Sequence, residues 1–145
     1  MSLPRFAVDT SVAIPLLVTT HAEHLAVTSW AGDRKLSLSG HSLAETYSVL
    51  TRLPGPARIS PAQAAQLIDD NFDPHLVIAA EHAQTVHQEL ARFGISGGAT
   101  YDALVALASV HNNATLVTRD ARALPTYAAV GVRVELIPSS PGPTP

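Results

Sequence analysis

Short apolar segments alternate with longer segments of helical periodicity along this 145-residue chain. A strand that is followed by a helix and then by another strand builds a parallel sheet whose faces the helices cover. The alternation therefore predicts an α/β fold with a single parallel sheet of four to five strands and helices on both faces. The predicted strands are 5–8, 36–38, 75–78, 114–118 and 132–137.

Helix signals fill the intervening segments. Ser60-Pro61 places a capping serine before a proline at the first helical position. Thr100 is the predicted cap of a helix that is apolar on almost every side, so we expect that helix to be buried. The predicted helices are 12–18, 21–31, 42–53, 61–71, 80–93 and 101–111, with a helical turn near 121–124.

Composition limits the classes of protein to which the chain belongs. Hydrophobic residues make up 46% and charged residues 14%, which indicates a globular domain. The absence of cysteine excludes disulfides and thiolate zinc sites, and it is typical of a cytoplasmic protein. No apolar run approaches the roughly 18–20 residues that span a bilayer, so we expect no membrane association. We predict one domain over 1–137 and a disordered Pro/Ser/Gly-rich tail over 138–145.

Four carboxylates recur at the starts of predicted helices or the ends of predicted strands. Asp9 and Asp120 follow apolar strands, and they emerge at the same edge of the sheet if these strands are neighbours. Asp102 lies in the first turn of the buried helix, above small residues, and is therefore placed to face a cavity. Glu45 lies at the edge of the apolar stripe of helix 42–53. The alternative is structural: each aspartate stabilises a helix start by roughly 0.3–1 kcal/mol, and Glu45 is an ordinary exposed residue.

Carboxylates that share one pocket repel each other. Two unit charges about 4 Å apart cost about 4 kcal/mol at an effective dielectric constant near 20, so the cluster needs a cation or must hold protons. Oxygen ligands without cysteine or histidine favour Mg²⁺ or Mn²⁺, and such sites serve phosphoryl transfer, in which a metal-activated water attacks phosphorus. The hydroxyls of Thr10, Ser11 and Thr118 adjoin the acids and are placed to hold a carboxylate or a water.

Four short motifs in this order and spacing resemble the PIN-domain family, and within it the VapC-like toxins of bacterial toxin–antitoxin pairs. The resemblance covers nearly the whole chain up to Ile137. The matching segments are Val8-Asp9-Thr10-Ser11, Leu43-Ala44-Glu45, 100–106 and 116–124.

The resemblance implies a PIN-like fold and a metal-dependent endoribonuclease that uses Mg²⁺ or Mn²⁺. The family's acidic quartet falls on Asp9, Glu45, Asp102 and Asp120, as catalytic residues and metal ligands, and its strand-end hydroxyl falls on Thr118. Glu45 is either a ligand or the residue that positions the attacking water. The resemblance also implies an RNA substrate, a homodimer and a cognate VapB-like antitoxin, whose arginine enters the acidic pocket in place of the cation.

Two other functions stay open at this point. One is a PIN-like domain that binds RNA or a partner without turnover, although the four intact acids speak against it. The other is an enzyme that uses an aspartate as nucleophile, such as a phosphatase. One such class has a second aspartate two residues after the first, where this chain has Ser11. Another class has a lysine on a later strand, whereas the single lysine of this chain, Lys35, lies near an early strand. The net charge of −3 argues mildly against nucleic-acid binding in general.

The remaining polar and aromatic candidates have two readings each. Arg119 and Arg122 flank Asp120 and either contact RNA phosphates or are solvated. Tyr101 and Trp30 are expected to pack in the core rather than to stack on bases.

The histidines give no metal site by local spacing. His21 and His24 are three residues apart, but no third ligand follows nearby, so we expect surface positions. His82 and His87 are five apart and do not share a helix face.

Overall fold

The computed structural model describes residues 4–139, and its centre is a four-stranded parallel sheet. The strands stand in the order β2-β1-β3-β4, and each neighbouring pair is parallel. The predicted α/β fold with one parallel sheet is therefore confirmed, with four strands. The strands are β1 (Arg5–Val8), β2 (Leu36–Leu38), β3 (Ala114–Thr118) and β4 (Val134–Leu136).

Helices cover both faces of the sheet and build one hydrophobic cluster on each. Successive side chains of a strand point to opposite faces, so Val8 and Val117 join one cluster while Ala7 and Leu116 join the other. Helices α1 to α4 pack on the first face, and α7 and α8 pack on the second. The helices are α1 (Thr10–Leu17), α2 (His24–Ala31), α3 (Ser42–Thr51), α4 (Pro61–Asn71), α5 (Ala80–Ala83), α6 (Val86–Arg92), α7 (Ala99–His111) and α8 (Leu124–Val130).

The predicted strand 75–78 is wrong. Only Leu76 pairs with the sheet, in a single bridge to Ser39. Pairing stops there because the chain after β2 turns at Gly40, which has a φ of 55°. A Cβ at Gly40 would lie 2.7 Å from the carbonyl oxygen of Leu104, so only glycine permits this close approach to α7.

The predicted helix 80–93 is also wrong, since it is divided into α5 and α6. The N–H and the hydroxyl of Thr85 both donate to the carbonyl oxygen of His82, at 3.2 and 3.5 Å. That carbonyl is the one that Val86 would use in a continuous helix, so the side chain of Thr85 competes with the helical bond.

Several boundaries differ by a few residues from the predicted ones. Helix α7 begins at Ala99 with Gly98 as its N-cap, rather than at Tyr101 with Thr100 as its cap. Helix α2 begins at His24 instead of residue 21. Residues 140–145 of the predicted tail 138–145 lie outside the described residues, so the disorder of the tail stays a prediction. Within 4–139, no helix has the length and apolar character that a membrane span requires.

Candidate active site

The four carboxylates line one cavity of about 290 Å³ at the carboxyl edge of the sheet. From β1 the chain first crosses to β2 on one side and later to β3 on the other, so the crevice between β1 and β3 is the point where ligands bind in open α/β sheets. Asp9 follows β1, and Asp120 comes two residues after β3. Glu45 and Asp102 come from the first turns of α3 and α7.

Asp9 is the most firmly held of these acids. Its Oδ1 accepts hydrogen bonds from the N–H of Ser11 at 3.1 Å and from the Ser11 hydroxyl at 2.5 Å. Its Oδ2 accepts from the hydroxyls of Thr118 at 2.5 Å and Tyr127 at 2.8 Å. The side chain also caps α1, so the structural role weighed from the sequence is real and coexists with its place in the cavity. Burial raises the pKa of Asp9, and these hydrogen bonds offset only part of that rise.

Asp102 and Glu45 differ from Asp9 because no residue within 4–139 donates a hydrogen bond to either carboxylate. Partial burial raises the pKa of Asp102, and the charges of Asp120, Asp9 and Glu45 raise it further. The mutual repulsion expected from the sequence is therefore present at this carboxylate. A divalent cation among these groups would remove it.

A buried network of serine hydroxyls fixes the elements that carry Glu45 and Asp102. Ser39 donates to the carbonyl oxygen of Val105 at 2.8 Å and lies 2.8 Å from the hydroxyl of Ser109, which joins β2 to α7. Ser42 donates to the carbonyl oxygen of Ser39 at 2.6 Å, which joins α3 to the same point. Because these hydroxyls are buried and satisfied, the network holds α3 and α7 rigidly at the cavity.

The predicted supporting hydroxyls divide into two groups. Ser11 and Thr118 hold Asp9 directly, as described above. Thr10 lines the cavity, but its hydroxyl lies 3.3 Å from that of Thr46 and therefore ties α1 to α3 rather than holding a carboxylate.

Tyr127 and His21 are cavity residues that sequence reasoning missed. Tyr127 is fully buried in α8 and hydrogen-bonded to Asp9 across 118 positions of sequence, which leaves no local signal. His21, expected at the surface, lines the cavity, and its Nδ1 accepts a hydrogen bond from the N–H of Glu23 at 3.0 Å. Burial lowers the pKa of His21, and the nearby charge of Arg119 lowers it further, so the ring is neutral at pH 7 with its proton on Nε2.

The two arginines beside Asp120 differ in environment. Arg119 lines the cavity but is not solvated, because its guanidinium donates to the carbonyl oxygen of Ser11 at 3.3 Å and lies 3.8 Å from the carboxylate of Glu23. Arg122 is almost fully exposed, and its Nε lies 3.4 Å from Asp120 Oδ1.

The predicted core position of Tyr101 is wrong, whereas that of Trp30 is partly right. Tyr101 is 55% exposed and stacks on His41, with ring centroids 4.9 Å apart. Tyr101 shares a face of α7 with Val105 and Ala108, but that face is buried only from the second turn of the helix onward. Trp30 packs at the edge of the first cluster against Phe6.

The donor set fits a hard divalent cation, since carboxylate and hydroxyl oxygens predominate, with the imidazole of His21 beside them and no thiol. Asp102 and Glu45 have both oxygens available. Each oxygen of Asp9 already accepts two hydrogen bonds, so it can bind an ion only by giving one up. The hydroxyls of Ser11 and Thr118 lie 3.2 Å apart and can pair with each other when that happens.

The protein is a parallel α/β domain with four carboxylates around a cavity at the switch point of its sheet. Proteins of this class are suited to bind a divalent cation together with a phosphate group. The chain belongs to the PIN-domain family, whose model, described as "PIN domain", matches residues 6–129. Within that family it belongs to the VapC-like group, so the resemblance seen in the sequence is confirmed.

Two relatives and one solved structure illustrate the likeness. The chain is 53% identical over 131 residues to "Ribonuclease VapC27" of Mycobacterium tuberculosis, which covers 90% of this chain and 96% of the relative. It is 43% identical over 132 residues to "Ribonuclease VapC40" of the same species, which covers 90% and 98%. The structure of DNA-bound VapBC from Salmonella typhimurium aligns with a TM-score of 0.62 at 21% identity, over 92% of this chain and 98% of that one.

Proposed function

We propose that this protein is the ribonuclease toxin of a VapBC-like toxin–antitoxin pair and cleaves RNA phosphodiester bonds with Mg²⁺ or Mn²⁺. The observation that carries the proposal is that Asp9, Glu45, Asp102 and Asp120, distant in sequence, line one cavity at the carboxyl edge of the sheet. The printed names of the relatives, both called ribonucleases, support the same activity.

The residues divide the work as follows. Asp102, Asp120 and Asp9 would hold the cation, and Glu45, which is exposed at the cavity, would be either a further ligand or the residue that orients the attacking water. When bound, the cation lowers the pKa of a water and offsets the negative charge of the phosphate. Ser11, Thr118 and Tyr127 fix the orientation of the Asp9 carboxylate.

The surroundings of the cavity suit RNA despite the acidic composition of the chain. His21 is a neutral residue that lines the cavity with a proton on Nε2, and it can donate a hydrogen bond to phosphate. Tyr101, which is exposed and packs against the half-buried His41, adjoins Asp102 and offers an aromatic surface on which an unpaired base can stack. Arg122 is almost fully exposed and can reach phosphate by releasing its contact with Asp120, whereas Arg119 is held by less exposed contacts.

The acidic cavity also explains how a partner would inhibit the enzyme. An arginine of a VapB-like antitoxin would replace the cation by placing its positive charge among the four carboxylates. The solved neighbour from Salmonella is itself a VapBC assembly, which supports a partner of this kind. A homodimer and a cytoplasmic location complete the proposal.

The environment of Asp9 disfavours the phosphatase alternative. A nucleophilic aspartate needs an accessible oxygen, but Asp9 is 6% exposed and each of its oxygens accepts two hydrogen bonds.

The test is cleavage of a structured RNA by Asp102→Asn. We choose Asp102 because its side chain makes no hydrogen bond within the described chain, so the substitution removes charge without removing a support of the fold. We expect cleavage to fall by roughly 10²–10³-fold, the size of effect seen when one electrostatic group of an active site is lost. EDTA should abolish wild-type cleavage, and Mn²⁺ or Mg²⁺ should restore it.

The matched control is Asp33→Asn, which removes an exposed carboxylate near the opposite edge of the sheet and should cleave as the wild type does. A phosphomonoester assayed in parallel should not be hydrolysed. Wild-type cleavage rates in Asp102→Asn, or activity that survives EDTA, would overturn the proposal.

A further inference from the structure

A cluster of three possible metal ligands lies at the C-terminal end of α7, outside the acidic cavity: His82, Glu89 and His111. One possible ligand atom of each lies within 4.8 Å of those of the other two. His82 comes from α5, Glu89 from α6, and His111 is the last residue of α7. The imidazole rings of His82 and His111 have centroids 4.4 Å apart, and His111 Nε2 lies 3.9 Å from Glu89 Oε1. Within 4–139, no other group of three such residues converges as closely.

Two buried polar atoms of this cluster lack the hydrogen-bond partners that such atoms normally have. Glu89 Oε2 and His111 Nδ1 are buried and make no hydrogen bond. Glu89 Oε1 lies 3.8 Å from Arg92 and 3.9 Å from His111, and both separations exceed hydrogen-bonding distance. Nearly all buried polar atoms in folded proteins are satisfied, so the open positions on this carboxylate and this imidazole are available to a bound ion or a water.

We propose that His82, Glu89 and His111 form a site for a transition-metal ion of the Zn²⁺ type. Two imidazole nitrogens and one carboxylate oxygen are a ligand set that zinc sites use, with water in the fourth position. The two imidazole donors separate this site from the acidic cavity, where carboxylate and hydroxyl oxygens predominate and favour Mg²⁺ or Mn²⁺.

The geometry requires only a small adjustment. Tetrahedral ligands at about 2.0–2.1 Å from zinc stand roughly 3.3 Å apart, which is closer than the present separations. His82 is exposed and lies on a four-residue helix, so its ring can approach without disturbing the core. The site is distinct from the acidic cavity because His111 lies nine residues, about 14 Å of helix, beyond Asp102 on α7.

An ion bound here would fasten a weakly held segment to the core. No residue between 77 and 102 is buried, so α5 and α6 are attached only through half-buried side chains such as Val86, Leu90 and Phe93. Helix α7, by contrast, is buried along most of its length. An ion that joins His82 and Glu89 to His111 therefore restricts opening of α5 and α6.

The experiment measures zinc binding by tag-free protein in excess Mg²⁺, by titration calorimetry and by X-ray absorption at the zinc edge. We expect one Zn²⁺ per chain with imidazole ligands, and at least tenfold weaker binding in both His82→Ala and Glu89→Gln. His82 is exposed, so its substitution leaves the fold intact. The matched control is His87→Ala, an exposed histidine of the same segment, which should change the affinity less than twofold.

Hydrogen exchange provides the second readout. Zn²⁺ should slow amide exchange across 80–92 at least tenfold in the wild type and in His87→Ala, but not in His82→Ala. The proposal is overturned if His82→Ala and Glu89→Gln bind zinc as the wild type does, or if Zn²⁺ leaves exchange across 80–92 unchanged. It is also overturned if zinc binding is lost in His21→Ala but kept in His82→Ala, which would place the ion in the acidic cavity.

Discussion

The two ends of α7 carry two polar clusters that are built in opposite ways. At the first turn, Asp102 joins a cavity framed by buried hydroxyls, in which Asp9 alone accepts four hydrogen bonds. At the last turn, His111 meets Glu89 and His82, which belong to a segment without a single buried residue. No hydrogen bond joins the three side chains. The first cluster is preorganised by the fold, whereas the second depends on what binds there.

The difference follows from where each cluster stands relative to the sheet. Strand ends and helix starts meet at the acidic cavity, so backbone N–H groups and short hydroxyl side chains are close enough to fix a carboxylate. The histidine cluster lies between α7 and two short helices, where long side chains must meet across a loosely packed surface. Rigid support at the first site therefore suits the catalysis proposed there. Loose packing at the second site instead suits the proposed control of local opening by a bound ion.

Asp9→Asn should give the largest change, because Asp9 belongs both to the frame and to the proposed site. We expect RNA cleavage to fall by roughly 10²–10³-fold. The free energy of unfolding should fall by about 1–3 kcal/mol, since an amide cannot accept all four hydrogen bonds. Cleavage assays and denaturant unfolding measure the two effects, and a variant with wild-type stability and wild-type cleavage would contradict the preorganised frame.

Tyr127→Phe should have a smaller effect and tests the frame alone. It deletes one hydroxyl that donates to Asp9 Oδ2 and leaves the ring in the core. We expect a loss of roughly 10–100-fold in activity or in Mn²⁺ affinity, as for other groups that orient metal ligands. Tyr101→Phe, which deletes an exposed hydroxyl from a helix at the same cavity, is the control. Equal activity of the two variants would show that Asp9 needs no support from α8.

The pH dependence of Mg²⁺ stabilisation should show the smallest effect. The pKa values of Asp9 and Asp102 are raised in the folded protein, chiefly by burial and then, for Asp102, by neighbouring carboxylates. The folded state therefore holds more protons than the unfolded chain at mildly acidic pH, and stability without metal falls as the pH rises through the folded pKa values. Mg²⁺ relieves the repulsion only where the acids are ionised.

Thermal unfolding with and without Mg²⁺ should thus show a larger rise in Tm at about pH 7.5 than at about pH 4.5. Asp102→Asn should flatten this dependence, because it removes one of the two titrating groups. A rise in Tm that is independent of pH, or larger in acid, would show that the carboxylates do not bind the ion.

Much of the fold and the acidic residues could be predicted from the sequence because their signals are local. Apolar strands that end in Asp9 and near Asp120 indicate the edge of a parallel sheet, and the motifs around Glu45 and Asp102 resemble those of one family. The predicted strand 75–78 was wrong: this apolar run makes only a single bridge to the sheet, because the chain that follows β2 turns away at Gly40. The prediction that Tyr101 packs in the core also failed, because helical periodicity shows which face of α7 is buried but not at which turn the burial begins.

The sequence by itself determined the alternation of strands and helices and the placement of carboxylates at the ends of those elements, since hydrophobic period and capping act over a few residues. Only the tertiary structure decided that Tyr127 would donate to Asp9 and that His82 would meet His111. These pairs are separated by 118 and 29 positions, and their contact depends on how whole helices pack on the sheet. Packing is a property of the complete core, so no short stretch of sequence contains it.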